Sequence, residues 1–135
     1  MIGVLLVTHG AIGEALLASA SQILGARPPR AAALGVAGGE PPEALLERAR
    51  ALAERLDEGS GVLVLTDMFG ATPCNVATRL LEDGRIEGVS GVSLPMLVRV
   101  LSGRAGSLGQ AVARARSGGA EGVVHLNADA CRAKH

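Results

Sequence analysis

Residues 2–10 read IGVLLVTHG. The first six are apolar with no polar alternation, the pattern of a strand covered on both faces. The run then breaks into a polar turn at Thr8-His9-Gly10. Residues 61–75, GVLVLTDMFGATPCN, repeat the pattern. Val62 to Leu65 make a second fully apolar strand, Thr66 ends it, and a glycine-containing loop runs from Asp67 to Pro73.

Helical patterns follow each of these strands. Leu16, Ala20, Ile23 and Leu24 share a face and stop at Gly25 and Pro28-Pro29. Residues 31–36 (AAALGV) form a weaker strand candidate. Pro41-Pro42 suits a helix start, where a missing N–H costs nothing. Leu45, Ala49, Leu52 and Leu56 then form a stripe, with Glu54 four residues after Arg50, and Gly59 closes the helix. Pro73 is placed as the first residue of a helix carrying Val76, Ala77, Leu80 and Leu81. The pattern predicts a strand over 86–92, a helix from Pro95 to Leu101, a helix over 108–115 and a short last strand over Val123–Leu126. Residues 127–135 read as a loose polar tail. Alternating strands and helices argue an α/β domain with a mostly parallel sheet and right-handed crossovers.

Bulk composition narrows the function classes. The 135 residues suit one domain, whose core is aliphatic because Phe69 is the sole aromatic residue. Thirteen basic and 13 acidic residues cancel, so no net field draws the chain to nucleic acid or an anionic membrane. No run approaches the roughly 18 apolar residues of a membrane span, and the N-terminal run lacks the basic region and cleavage site of a signal peptide. Cys74 and Cys131 make neither a zinc set nor a disulfide framework. The expectation is a reduced, cytoplasmic protein without direct membrane insertion.

In an open α/β sheet, ligands sit beyond the carboxyl ends of the strands, where strand order reverses. If the two apolar strands are neighbours, His9 and Asp67 face each other there. A carboxylate accepting one imidazole N–H fixes the tautomer and aims the other nitrogen outward as a nucleophile. The same pair suits acid–base work, or a hydrogen bond that only ties two loops together. Gly70, Ala71, Thr72 and Asn75 supply small residues, a hydroxyl and the amides of a helix start, a candidate phosphoryl cradle. Thr72 can also be read as the helix N-cap. Gly10, Met68, Phe69, Leu94, Pro95, Met96, Arg99 and Arg104 are candidates for a partner-docking rim, or for a dimer surface or core. The chain has no GxxxxGK[ST] loop, and its single lysine is Lys134. His125 and His135 read as structural or surface residues, Cys74 as packing. No histidine pair has metal-ligand spacing.

Three segments, GVLLVTHGAIGEALLASASQILG (3–25), GVLVLTDMFGATPCNVATRLL (61–81) and GVSLPMLVRVL (91–101), resemble the IIA domain of the mannose family of the bacterial sugar phosphotransferase system. The resemblance spans residues 2 to about 127 and divides the chain into a IIA phosphocarrier domain (1–127) and a polar tail (128–135). It implies a doubly wound sheet of strand order 2-1-3-4, and homodimers in which a fifth, antiparallel edge strand, here Val123–Leu126, is often exchanged. By resemblance, His9 is the phosphorylated histidine and Asp67 its hydrogen-bonding carboxylate. The phosphoryl group comes from the small carrier HPr and passes to a IIB component, in the cytoplasm beside a membrane transporter complex. No cofactor is implied beyond the phosphoryl group on His9. Ala71-Thr72 replaces the family's usual Gly-Ser, and Ser93 replaces a common Asn. A regulatory module read out by phosphorylation state and the phosphocarrier subunit of a dihydroxyacetone kinase system remain alternatives.

Overall fold

The computed structural model describes residues 1–130; residues 131–135 of the expected tail, with Cys131, Lys134 and His135, lie outside them. The elements run β1 (Gly3–His9), α1 (Ile12–Leu24), β2 (Ala31–Val36), α2 (Pro42–Leu56), β3 (Val62–Thr66), α3 (Thr72–Thr78), β4 (Ile86–Ser90), α4 (Leu94–Leu101) and α5 (Leu108–Glu121). The four strands form one sheet of order β2-β1-β3-β4. All three pairings are parallel, and Val7 stands opposite Thr66.

Side chains alternate across the central strands and divide the core in two. Leu5 and Val7 of β1, with Val62 and Val64 of β3, pack against α2 and α3. Val4 and Leu6, with Leu63 and Leu65, pack against α1, α4 and α5. Both central strands are therefore buried on both faces, which is why their sequences show no polar alternation. Burying each such leucine or valine contributes about 1.5–3 kcal/mol.

Several expectations are corrected. Helix α1 buries Gly13, Leu17 and Ala20, while Ile23 and Leu24 are exposed and Leu16 is half-buried. Gly13 sets this face: a Cβ there would lie 3.1 Å from Thr8 Oγ1 and 3.2 Å from the Cβ atoms of Leu6 and Ala33. Helix α2 ends before Gly59, at Asp57, whose Oδ1 accepts the N–H groups of Gly59 (2.8 Å) and Gly61 (3.2 Å). Helix α3 stops at Thr78, so Leu81 lies beyond it. Strand β4 stops at Ser90, and Val92 instead donates its N–H to the Thr66 carbonyl.

Helix α5 continues through Gly118-Gly119 to Glu121 instead of stopping at Ala115. A Cβ on Gly118 would approach Arg99 Cβ at 3.1 Å and Met96 Cα at 3.2 Å, so the glycine serves close packing of α5 on α4. The strand expected over Val123–Leu126 is not formed in the single chain. Val123 and Leu126 are exposed, and Leu126–Ala130 makes one π-type helical turn. At the outer edge of β4, Ile86 bridges Glu82, and beyond it the edge has no strand partner among the described residues.

Candidate functional site

The chain leaves β1 for α1 and β2 on one side, and returns through α2 to β3 on the other. The carboxyl ends of β1 and β3 therefore flank the point where strand order reverses. His9 is the last residue of β1 and Asp67 follows the last residue of β3. The pairing of β1 with β3 brings them into contact: His9 Nδ1 lies 2.8 Å from Asp67 Oδ2. The same oxygen accepts the backbone N–H of His9 at 3.1 Å. Ring and main chain of one residue are thus held by a single carboxylate oxygen.

Exposure separates the partners. The Asp67 side chain is 12 % exposed and the His9 side chain 47 %. Burial alone would raise the Asp67 pKa, but the hydrogen bonds from the His9 ring and backbone N–H, with Asp67's own N–H nearby, hold it below the usual carboxylate range. Asp67 is therefore an acceptor at neutral pH and selects the tautomer protonated at Nδ1. Nε2 has no hydrogen-bond partner among the described residues and carries the ring's free lone pair. Asp67 Oδ1 is buried with no hydrogen-bond partner among them either.

A residue missed in the sequence fixes the turn. Thr8 is fully buried. Its Oγ1 accepts the Gly13 N–H at 2.8 Å and donates to the His9 carbonyl at 3.3 Å. It serves the start of α1, whose N-cap residue Ala11 has no side-chain acceptor to offer. A lone hydroxyl ending an apolar strand was the available signal. Gly35 of β2 was missed as well. A Cβ there would sit 2.2 Å from the Gly10 carbonyl oxygen, so the β2 backbone supports the turn from beneath. Gly10 takes φ +46° and donates its N–H to the Val36 carbonyl at 3.0 Å.

Gly70, at φ +85°, is exposed and turns the chain toward α3. Thr72 is the first residue of α3 and not its N-cap; Ala71 holds that position without a side-chain hydrogen bond. Thr72 and Asn75 are exposed and line a groove of about 160 Å³ with Pro42, Leu46, Val76 and Arg79. His9 and Asp67 do not line it. Met68 and Phe69 are strongly exposed beside Asp67, Phe69 at 83 %. Pro95 is exposed and Leu94 half-buried. Arg99 is engaged by Glu121 at 3.1 Å.

Two rim candidates are overturned. Met96 is buried in the core between the sheet and helices α4 and α5, on the inner face of an amphipathic helix. Arg104 is buried at the opposite end of the sheet, where Nη1 donates to the carbonyls of Ile2 and Arg30 at 3.1 Å each.

The sequence model of the family described as "PTS system fructose IIA component" matches residues 3–116. The chain belongs to this family. The IIA match contains His9, Asp67 and the whole of the 70–75 segment. The chain is 37 % identical over 130 residues to the "PTS system mannose-specific EIIAB component" of Escherichia coli (strain K12), covering 94 % of this chain and 40 % of that relative. It thus spans well under half of that relative's length. It is 36 % identical over 103 residues to the "PTS system fructose-specific EIIA component" of Bacillus subtilis (strain 168), covering 76 % and 70 % of the two chains. The crystal structure of phosphotransferase system component EIIA from Streptococcus agalactiae superposes with TM-score 0.83 at 25 % identity, covering 94 % of this chain and 98 % of that one. The doubly wound order β2-β1-β3-β4 is shared with that IIA structure.

Proposed function

We propose that this IIA component carries a phosphoryl group on His9 Nε2, taking it from phosphorylated HPr and passing it to a IIB component. The observation that carries the reading is the bond from His9 Nδ1 to Asp67 Oδ2 at 2.8 Å on a half-exposed ring, which leaves Nε2 as the nucleophile. In the transfer, the Nε2 lone pair attacks phosphorus in line. The donor's N–P bond breaks, and its electron pair returns to the donor imidazole. His9, still protonated at Nδ1, becomes a phosphorylated cation, and Asp67 stabilises that charge more than it stabilises the neutral ring. The second transfer reverses these steps.

Gly70, Ala71, Thr72 and Asn75 are proposed to receive the phosphoryl oxygens as the partner docks. Gly10, Met68, Phe69 and Pro95 are proposed as docking surface, with the exposed Met68 and Phe69 supplying its apolar part. The outer edge of β4 beyond Ile86, without a strand partner among the described residues, and the exposed segment after α5 support a homodimer in which residues 123–126 add to a second copy's sheet. The proposed unit of function is a single IIA domain over residues 1–127. No described helix is long and apolar enough to cross a membrane.

Incubation with phosphoenolpyruvate, enzyme I and HPr tests the reading. The wild-type chain is expected to take up one acid-labile phosphoryl group and His9→Ala none. A His9→Ala chain labelled at the wild-type level would overturn it.

A further inference from the structure

A surface nearly free of charge lies beside His9. Helices α1 and α4 each follow a parallel strand, start at its carboxyl end and pack together on one face of the sheet. Residues 10–26, which contain α1, hold one charged residue, Glu14, and Arg27 pairs with it at 2.9 Å. Residues 91–102, which contain α4, also hold one, Arg99, engaged by Glu121 at 3.1 Å. Ile12 opens α1 just after His9, and Ile12, Leu16, Ser19 and Ile23 recur at helical spacing along one stripe. Ile12 is 46 % exposed and Ile23 59 %. On α4, Leu94 and Val98 stand one turn apart and, like Leu16, pack at the margin of the core with part of their surface in solvent. Pro95 beside them is exposed.

The other side of the sheet differs. Helix α2 exposes six charged side chains, among them Glu47, Arg50 and Glu54. No large apolar side chain of α2 or α3 is exposed. A helix that faces only water carries charge on its outer side, as α2 does. The exposed isoleucines of α1 do not fit that pattern, and with Met68 and Phe69 beside Asp67 they make the His9 end of the molecule apolar on this side.

The chemistry at His9 says what covers such a surface. In-line transfer between two histidines leaves a single phosphorus between their rings, so the surface around the donor histidine must meet the surface around His9. A stable footprint of about 800 Å² per partner has a radius of about 16 Å. Ile12 to Ile23 span about 16 Å along the helix axis. The whole stripe is within reach of a donor seated on His9 and displaced toward α1.

We propose that the phosphoryl donor docks across α1 and α4, laying an uncharged apolar surface around its own histidine over Ile12, Leu16, Ile23, Pro95 and Val98, and that it leaves the charged side of α2 uncovered. The inference rests on His9 as the phosphorylated residue and adds the side from which the donor comes.

Binding and transfer test it separately. Unphosphorylated HPr, titrated into the isotope-labelled protein, should shift the amide signals of Ile12, Ile23 and Val98 saturably and leave those of Glu47, Arg50 and Glu54 in place. Shifts centred on α2, or no saturable shifts, overturn the proposal. With phosphorylated HPr as donor, Ile23→Glu should raise KM about 10-fold at unchanged kcat, because docking would bury a carboxylate without a partner. Ile23→Ala should raise it less, about 3-fold. Glu47→Ala and Arg50→Ala should keep the wild-type KM. The exposed position of Ile23 lets its variants fold, which an unchanged urea midpoint checks. A wild-type KM in Ile23→Glu overturns the docking while His9 labelling stands. Label retained in His9→Ala would instead remove the assigned histidine, with the shifts on α1 still locating the donor. An altered oligomeric state in Ile23→Glu without a change in KM would give the stripe to a second copy of the chain and overturn the proposal.

Discussion

Arg104, buried, and Asp67, mostly buried, are charged side chains at opposite ends of one parallel sheet, and they bond to opposite kinds of partner. Arg104, 6 % exposed, spends Nη1 on two carbonyls that precede β1 and β2, while its own carbonyl accepts the Ile2 N–H. Nearby, Glu58 pairs with the terminal amine and with Arg30. The charges at this end tie backbone segments to one another. At the other end, Asp67 holds a residue whose ring remains half open to solvent, and leaves Oδ1 with no partner among the described residues. Thr66, one residue earlier, leaves its hydroxyl unpaired as well. Unsatisfied buried polar atoms thus concentrate where ligands of open α/β sheets bind. The Arg104 Nε is the exception at the stabilising end.

If this division holds, substitutions at the two ends should move different measurements. Arg104→Met is expected to cost about 3 kcal/mol, because two buried carbonyls lose a charged donor. Urea denaturation reads that loss, and phosphoryl uptake per folded molecule should stay at the wild-type level. Asp67→Asn should do the reverse. Transfer to His9 is expected to slow on the order of 10²-fold, because an amide cannot offset the charge gained by the ring. Its denaturation midpoint should change little. A loss of uptake in Arg104→Met as large as in Asp67→Asn would show that the two ends are not separable.

Thr8→Val sharpens the comparison, since Thr8 belongs to both categories. It caps α1 and also holds the carbonyl of His9. Loss of the cap should cost about 1 kcal/mol. The slower turnover expected with it should be partly recovered in Thr8→Ser, which restores the hydroxyl without the methyl group. Turnover unchanged in Thr8→Val would reduce Thr8 to a helix cap.

The central strands and the His9–Asp67 pair were legible in the sequence, because both depend on local pattern: an apolar run buried on both faces, ended by a polar turn. What could not be read depended on contacts between distant elements. Leu16 and Leu17 are adjacent in an alanine-rich helix, and only the approach of Gly13 to β1 decides which is buried. Ser117-Gly118-Gly119 reads as a helix end until α4 is packed against it. Arg99 and Arg104 lie five residues apart and look alike, yet one sits on the α4–α5 surface and the other at the amino-terminal end of the sheet. Met96 shows the same limit, because no local signal separates the inner face of a short helix from a docking rim.

The smallest expected effect is a pH dependence of stability that belongs to Asp67 alone. Its pKa in the folded chain lies below the usual carboxylate value, because hydrogen bonds from His9 outweigh burial. A group depressed in this way stabilises the folded state at pH above its unfolded value, about 3.9. That contribution disappears as pH falls through the lower, folded value, because the carboxyl is then protonated in the folded and the unfolded chain alike. Asp57 is also depressed, chiefly by the Gly59 N–H, so total acid lability cannot be assigned to one group. The difference between wild type and Asp67→Asn isolates it. The gap between their denaturation midpoints should close as pH falls from about 5 to below about 4. A gap that widens on acidification would reverse the sign of the shift. It would mean that burial dominates Asp67, and the account of a carboxylate held ionised to fix the His9 tautomer would fail with it.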